Sequence, residues 1–247
     1  MQMQGLVAIV TGGSRGIGRA IAKAYAREGA RVVVTARPTT PTGLPSTVYQ
    51  TAQDIRQLGG EALPMPCDVA DEEQVRAMVQ QVTDHYGQID VLVNNAGIFY
   101  PREPLLEVET ARWDETMAVN VRGPYLTCRY VLPVMMRQRR GSIINVGSQA
   151  ATTVRAGGTA YSSSKAALHM LSLCLAEEVR EYTIAVNVLN PGGVKTEGAE
   201  SGGWPPPWHE RVDPEEVAPS AVYLALQSAE TFSGRVVHRA EFGKSWP

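Results

Sequence analysis

Leu6-Val-Ala-Ile-Val-Thr-Gly-Gly-Ser-Arg-Gly-Ile-Gly18 decides how the rest of the chain is read. Leu6 to Val10 is a short, wholly apolar run that stops at Thr11-Gly12-Gly13, as a buried strand does. From Ile17 to Glu28 the apolar spacing is helical, and Gly29 ends it. A glycine turn between a strand and a helix lets backbone approach a phosphate closely. The helix N-terminus adds N–H donors and a positive dipole end. The spacing is G-x-x-x-G-x-G rather than the commoner G-x-G-x-x-G, and tight turns also need glycine. The placement of the turn therefore carries the reading more than its composition does. Gly12, Ser14, Arg15, Gly16, Ile17 and Gly18 are the candidate contacts for the pyrophosphate of a dinucleotide.

Outward from that turn, strands and helices alternate. Arg31 to Ala36 is valine-rich and reads as a second buried strand. Residues 37–46 hold three prolines and a glycine and read as a loop. Asp71-x-x-Gln74 can cap a helix that carries Val75, Val79, Val82 and Tyr86 and closes at Gly87. Strands are expected at 91–93, 142–146, 184–189 and 236–237. Long helices are expected at 112–139, with Pro133 as a kink or break, and at 160–181. Asp213-Pro-Glu-Glu216 supplies an N-cap, a first-turn proline and a capping partner. Such alternation predicts an α/β chain: one Rossmann-type, doubly wound parallel sheet of about seven strands with helices on both faces. Without linkers or repeats, residues 1–247 read as a single dinucleotide-binding and catalytic domain. The glycine- and proline-rich stretch 193–212, with Trp204 and Trp208, reads as a substrate lid or a plain surface excursion.

Composition narrows the function classes. Twenty-three basic residues against 25 acidic ones leave a net charge of −2, so no long-range field draws nucleic acid or anionic membrane. Cys67, Cys128 and Cys174 are far apart, and His85, His169, His209 and His238 show no ligand spacing. Neither a disulfide framework nor a metal site is expected. No stretch is apolar enough to span a bilayer, and the first five residues lack the charged start of a secretory signal, so a cytoplasmic location is expected.

The end of the second strand separates the two nicotinamide cofactors. A carboxylate there bonds the adenosine ribose of NAD, whereas a cation fits the 2′-phosphate of NADP. This strand ends Thr35-Ala36-Arg37, and Arg15 lies nearby, so NADP(H) is expected to be preferred over NAD(H). Solvated surface arginines are the plainer explanation of both.

Tyr161-Ser-Ser-Ser-Lys165 puts a phenol and an ammonium on one helix face, and Ser148 follows the strand Ile143-Ile-Asn-Val146 at its carboxyl end, where open parallel sheets bind ligands. Together with Thr11–Gly18, Cys67-Asp-Val69, Asn94-Asn-Ala-Gly97, Asn120 and Asn190-Pro-Gly-Gly-Val-Lys-Thr196, these residues resemble the short-chain dehydrogenase/reductase family. The likeness is greatest to its beta-ketoacyl carrier-protein reductases and generic carbonyl reductases. The resemblance implies hydride transfer between a nicotinamide and a ketone or secondary alcohol. It makes Tyr161 the general acid or base, Lys165 the cation that lowers its pKa and binds the ribose, Ser148 a donor to the substrate oxygen, and Asn120 part of a proton relay. It implies that Asp68 and Val69 contact the adenine, that Asn95, Ala96 and Gly97 pass the adenosine ribose, and that Pro191, Gly192, Val194 and Thr196 hold the carboxamide and pyrophosphate. A homotetramer, or else a dimer, is the family expectation. The chain departs from the family's usual ending, carrying Ala240-Glu-Phe-Gly243 in place of Asp-Gly-Gly. Two rival functions stay open: reduction of acyl thioesters on a carrier protein, and non-catalytic dinucleotide binding or sensing.

Overall fold

Seven parallel strands lie in the order β3-β2-β1-β4-β5-β6-β7 in a computed structural model that describes residues 1–38, 48–201 and 210–247. In chain order the strands and the helices between them are β1 Val7–Thr11, α1 Gly16–Arg27, β2 Arg31–Ala36, α2 Val48–Gln57, β3 Glu61–Pro66, α3 Glu72–Tyr86 and β4 Val91–Asn94. They continue with α4 Thr110–Met117, α5 Gly123–Gln138, β5 Gly141–Val146, α6 Thr159–Glu178, β6 Ile184–Asn190, α7 Glu197–Ser201, α8 Ala218–Ala225 and β7 Arg235–His238. β1 has β2 on one side and β4 on the other, so successive crossovers leave it in opposite directions. That reversal opens a crevice at the carboxyl ends of β1 and β4, where such sheets take ligands.

Alternation along β1 explains the layers. Ala8 and Val10 face a core made with Ile21, Tyr25, Ile55 and Leu224, on the side of α1, α2 and α8. Val7 and Ile9 face the opposite core, with Val75, Val82, Leu126, Val131 and Met135 from α3 and α5. Both faces of the strand are buried, which is why its sequence is an unbroken apolar run. Each fully buried Val, Ile or Leu contributes roughly 1.5–3 kcal/mol. Polar groups pin the layers: Tyr25 Oη donates to Ala221 O at 2.9 Å, and Val7 N–H donates to the buried Asp90 carboxylate at 2.8 Å.

The helix starts follow the capping chemistry. Gln74 N–H donates to Asp71 Oδ1 at 3.1 Å, and α3 ends at Gly87 in the left-handed region. Asp213 N–H donates to Glu216 Oε1 at 3.2 Å, although the first turn there, Pro214–Val217, is a 3₁₀ turn leading into α8.

Three sequence expectations need correction. The helix expected over 112–139 is two helices, α4 and α5, joined by a π turn, Ala118–Arg122, whereas Pro133 sits inside α5 without ending it. The helix expected over 160–181 ends at Glu178, and a separate one-turn piece follows at Arg180–Tyr182. β3, Glu61-Ala-Leu-Pro-Met-Pro66, is not among the expected strands, and it carries two prolines. It lies at the sheet edge, where one side of a strand needs no N–H donors. Residues 39–47, which take in most of the expected loop 37–46, and residues 202–209, the part of the expected lid 193–212 that carries Trp204 and Trp208, lie outside the described residues.

After β7 the chain ends in a ring cluster. Trp246 packs on Phe242 with centroids 4.8 Å apart and on Tyr223 and Phe232 at 5.9 Å, and its Nε1 donates to His238 O at 2.9 Å.

Candidate active site

A cavity of about 250 Å³ opens at the crevice beside β1 and β4. Gly12, Ser14, Arg15, Gly16 and Ile17 form one wall of it. α1 begins there with an N-cap, Arg15, whose side chain makes no cap hydrogen bond, and with no acidic residue in its first turn. Free donors at a positive dipole end are what a pyrophosphate needs. Gly18 lies beneath the turn rather than on the wall. A Cβ at that position would stand 2.4 Å from both Asn95 Nδ2 and Gly12 O, so only glycine lets the helix approach this closely.

The segment after β4 is clamped to the glycine turn. Thr11 Oγ1 accepts from Asn95 N–H and Ala96 N–H, both at 3.0 Å. Asn95 Nδ2 donates to Thr11 O at 2.9 Å and Gly12 O at 3.2 Å. The Asn95 side chain therefore works as a clamp, while Asn95, Ala96 and Gly97 line the cavity. Below it, Asn94 Nδ2 donates to Asn145 Oδ1 at 2.8 Å, and Asn145 Nδ2 donates to Ser172 Oγ at 2.8 Å. This buried chain joins β4, β5 and α6, the elements that carry the chemistry.

Ser148, Tyr161 and Lys165 converge on the same cavity, and Pro191, Gly192, Val194 and Thr196 close its far side. Ser148 caps a 3₁₀ turn, accepting from Ala150 N–H at 3.1 Å. Burial holds the Tyr161 phenol above its ordinary pKa, with the Ser148 hydroxyl opposing it. Lys165 Nζ donates to Val146 O at 2.9 Å and lies 5.7 Å from the centroid of the Tyr161 ring. Burial lowers the Lys165 pKa to about 8. Burial alone sets the direction of the Lys165 shift and is the larger cause of the Tyr161 shift. Both groups have left water, and desolvation disfavours the charged form of each.

Asn120 is 1% exposed and sits in the π turn, a widening common at functional sites. Its Nδ2 donates to Ile98 O at 2.8 Å and Ser164 Oγ at 3.1 Å, and its Oδ1 accepts from Ile98 N–H at 2.8 Å. It therefore ties the segment after β4 to α6. A Cβ on Gly97 would lie 3.4 Å from Asn120 Oδ1 and 3.7 Å from Lys165 Nζ, so both groups face one glycine. Val69 lines the cavity but Asp68 does not. The Asp68 carboxylate accepts from Ala70 N–H at 2.9 Å and serves the turn before α3.

Several neighbours surround these residues. The Phe99 ring meets Tyr161 edge-on with centroids 5.9 Å apart. His169 lies one helical turn beyond Lys165, and burial followed by the Lys165 charge lowers its pKa. Arg37 lines the cavity as expected, but Glu115 of α4 holds its Nη1 at 3.1 Å. No motif marks Glu115.

A model of the family described as short chain dehydrogenase matches residues 6–203. The chain belongs to the short-chain dehydrogenase family. Among its relatives, a 3-oxoacyl-[acyl-carrier-protein] reductase of Vibrio cholerae is 34% identical over 96% of this chain and 97% of that one. A D-threitol dehydrogenase of Mycolicibacterium smegmatis is 35% identical over 94% and 90%. A metagenomic short-chain oxidoreductase solved in complex with NADP superposes with a TM-score of 0.82 at 35% identity, covering 96% of this chain and 99% of that one. This short-chain dehydrogenase is accordingly an oxidoreductase of alcohol and carbonyl groups on a Rossmann-type fold, most like the carrier-protein reductases of the family. No helix among its described residues is long and apolar enough to cross a membrane.

Proposed function

We propose that the chain is an NADPH-dependent carbonyl reductase, reversible as a secondary-alcohol dehydrogenase. The observation that carries this reading is the convergence of Ser148, Tyr161 and Lys165 on a cavity whose other wall is an uncapped helix N-terminus at the crevice of the sheet. The uncapped turn at Gly12–Gly18 would hold the pyrophosphate, Val69 and the 95–97 segment the adenosine, and Pro191, Gly192, Val194 and Thr196 the nicotinamide end. When bound, the nicotinamide dinucleotide supplies or accepts the hydride.

The protein's share of the reaction is proton transfer and alignment. Ser148 Oγ donates to the substrate oxygen and polarises the carbonyl. Tyr161 Oη delivers the proton that the developing alkoxide needs. A phenol kept protonated by burial is suited to the acid's role, so the arrangement favours reduction near neutral pH. Lys165 holds the β5 end through Val146 O and places a positive charge beside the phenol as it becomes phenolate. Asn120 fixes the 98 backbone and α6 at one distance, and the path of protons from Lys165 to solvent passes this junction.

Two cations, Arg15 and Arg37, flank the adenosine side, and the NADP complex of a related oxidoreductase supports the phosphorylated cofactor. Equilibrium titration should give a lower Kd for NADPH than for NADH, and Arg37→Asp should erase the difference. Equal affinities in the parent protein would defeat this cofactor assignment. Tyr161→Phe should lower kcat by about 10²–10⁴-fold while leaving NADPH binding largely intact, as for removal of a general acid. Reduction of ketones by that variant at the parent rate would remove Tyr161 from the chemistry.

A second reading, reduction of beta-ketoacyl thioesters, is favoured by the relatives named as 3-oxoacyl carrier-protein reductases. Following NADPH absorbance over simple ketones, beta-ketoesters and acetoacetyl thioesters separates the two. A kcat/KM for the thioester far above those of the ketones selects the second.

A further inference from the structure

Arg37, at the end of β2, does not face the cavity alone. Its Nη1 lies 3.1 Å from Glu115 Oε1, with the side chains 21% and 32% exposed. The other oxygen of the same carboxylate, Oε2, accepts a hydrogen bond from the Tyr100 hydroxyl. Tyr100 belongs to the 98–103 segment that follows β4. Its neighbour Phe99 packs edge-on against Tyr161, and Tyr100 itself lines a second, smaller cavity together with Tyr161. Arg112, one turn before Glu115, covers the Tyr100 ring at 5.4 Å and bonds Glu103 at 2.9 Å, closing the segment onto α4. One carboxylate is thus shared between a cation on the adenosine side and a phenol on the substrate side.

The chemistry of each partner gives the sharing a direction. A guanidinium is a rigid planar fork, so fixing one nitrogen fixes where the other N–H groups point. With Nη1 on Glu115, the rest of the fork is free to meet an anion. Burial, reinforced by the Glu115 bond, holds the Tyr100 pKa near 12, so the hydroxyl remains a donor. As a half-buried ion pair still screened by water, Arg37–Glu115 would add little stability, about 0–1 kcal/mol. What it sets is orientation.

We infer that Glu115 is a positioning residue that couples recognition of the cofactor's 2′-phosphate by Arg37 to the placement of the 98–103 segment against Tyr161. This rests on the NADPH reading above and goes beyond it by joining the two ends of the site through one side chain.

The test is a double-mutant cycle read by equilibrium fluorescence titration with NADPH and, separately, NADH. Glu115→Ala should raise the NADPH Kd about tenfold, as expected for loss of a charge-assisted bond that orients the ligand's partner, and leave the NADH Kd unchanged. Tyr100→Phe, far from any phosphate, should raise the NADPH Kd roughly two- to fivefold, the scale of one hydrogen bond, because Glu115 is then held at a single oxygen. In the Glu115→Ala background, Tyr100→Phe should have no further effect. Glu115→Gln guards against a folding artefact: its amide oxygen can accept from Arg37 while its NH₂ donates to the Tyr100 oxygen, so both contacts persist without the charge. It should therefore raise the NADPH Kd by less than Ala does and leave the NADH Kd unchanged.

Equal factors for Tyr100→Phe in both backgrounds, or equal shifts for NADPH and NADH, would overturn the coupling. If the parent prefers NADPH and the cycle is additive, the coupling alone fails. If the parent binds both cofactors equally, the NADPH reading fails and the coupling falls with it.

Discussion

A lysine taken out of water gives up its proton more easily than one in solution, and Lys165 shows this, with a pKa brought down from 10.5 to about 8 by burial. Tyr161 moves the other way, upward, for the same reason. The two shifts set the pH dependence. Below about pH 8 the ammonium is charged and the phenol carries its proton, so the site is ready to reduce. As pH rises through about 8, Lys165 loses the charge that stabilises the forming phenolate, while Tyr161 still holds its proton. The kcat/KM for ketone reduction, which reports the free enzyme, should therefore fall above about pH 8. Alcohol oxidation, which needs the phenolate, should gain with increasing pH. A pH profile of both directions checks this. A reduction limb that stays flat to pH 10 would remove Lys165 from the acid's support.

At the scale of elements, strand-turn-helix geometry is unforgiving. Gly18→Ala places a methyl group 2.4 Å from the Asn95 amide and the Gly12 carbonyl, and neither can retreat without loosening the clamp on Thr11. The variant should lose about 1–3 kcal/mol in denaturant unfolding and bind cofactor more weakly, because the strain falls on the turn itself. The pieces of this unit were legible in the chain because each rests on local chemistry: an apolar run, a glycine turn, a helix stop. Ser148, Tyr161 and Lys165 were legible through their spacing and their place at strand and helix ends. β3 and α2 were not. The prolines of β3 are tolerated only because the strand is at an edge, and the apolar stripe of α2 (Val48, Ala52 and Ile55) is short and follows a proline-rich stretch. The π turn was hidden as well, since its cause is the fit of Asn120 between the 98 backbone and α6. The bond from Glu115 to Arg37 spans 78 residues and leaves no periodic trace.

Over the whole molecule, the sheet is closed at the β7 end by the chain's own final residues. Trp246 is 6% exposed although only Pro247 follows it, and it stacks into Tyr223, Phe232 and Phe242. Trp246→Ala should cost about 3–5 kcal/mol, as removal of a buried aromatic does, and lower the Tm measured by circular dichroism. The cofactor cavity lies at the switch between β1 and β4, so the NADPH Kd of the folded variant should be unchanged. A large loss of binding would show that the tail also shapes the cleft.

The uneven burial of the three sulfurs has a practical consequence. Cys67 and Cys128 are enclosed, and burial holds both thiols near a pKa of 12, whereas Cys174 lies on the outer face of α6. A maleimide dye should therefore attach at one position per native chain and at three once urea has opened the fold. Slow attachment to the intact protein that quickens on dilution would report a second subunit lying across that helix.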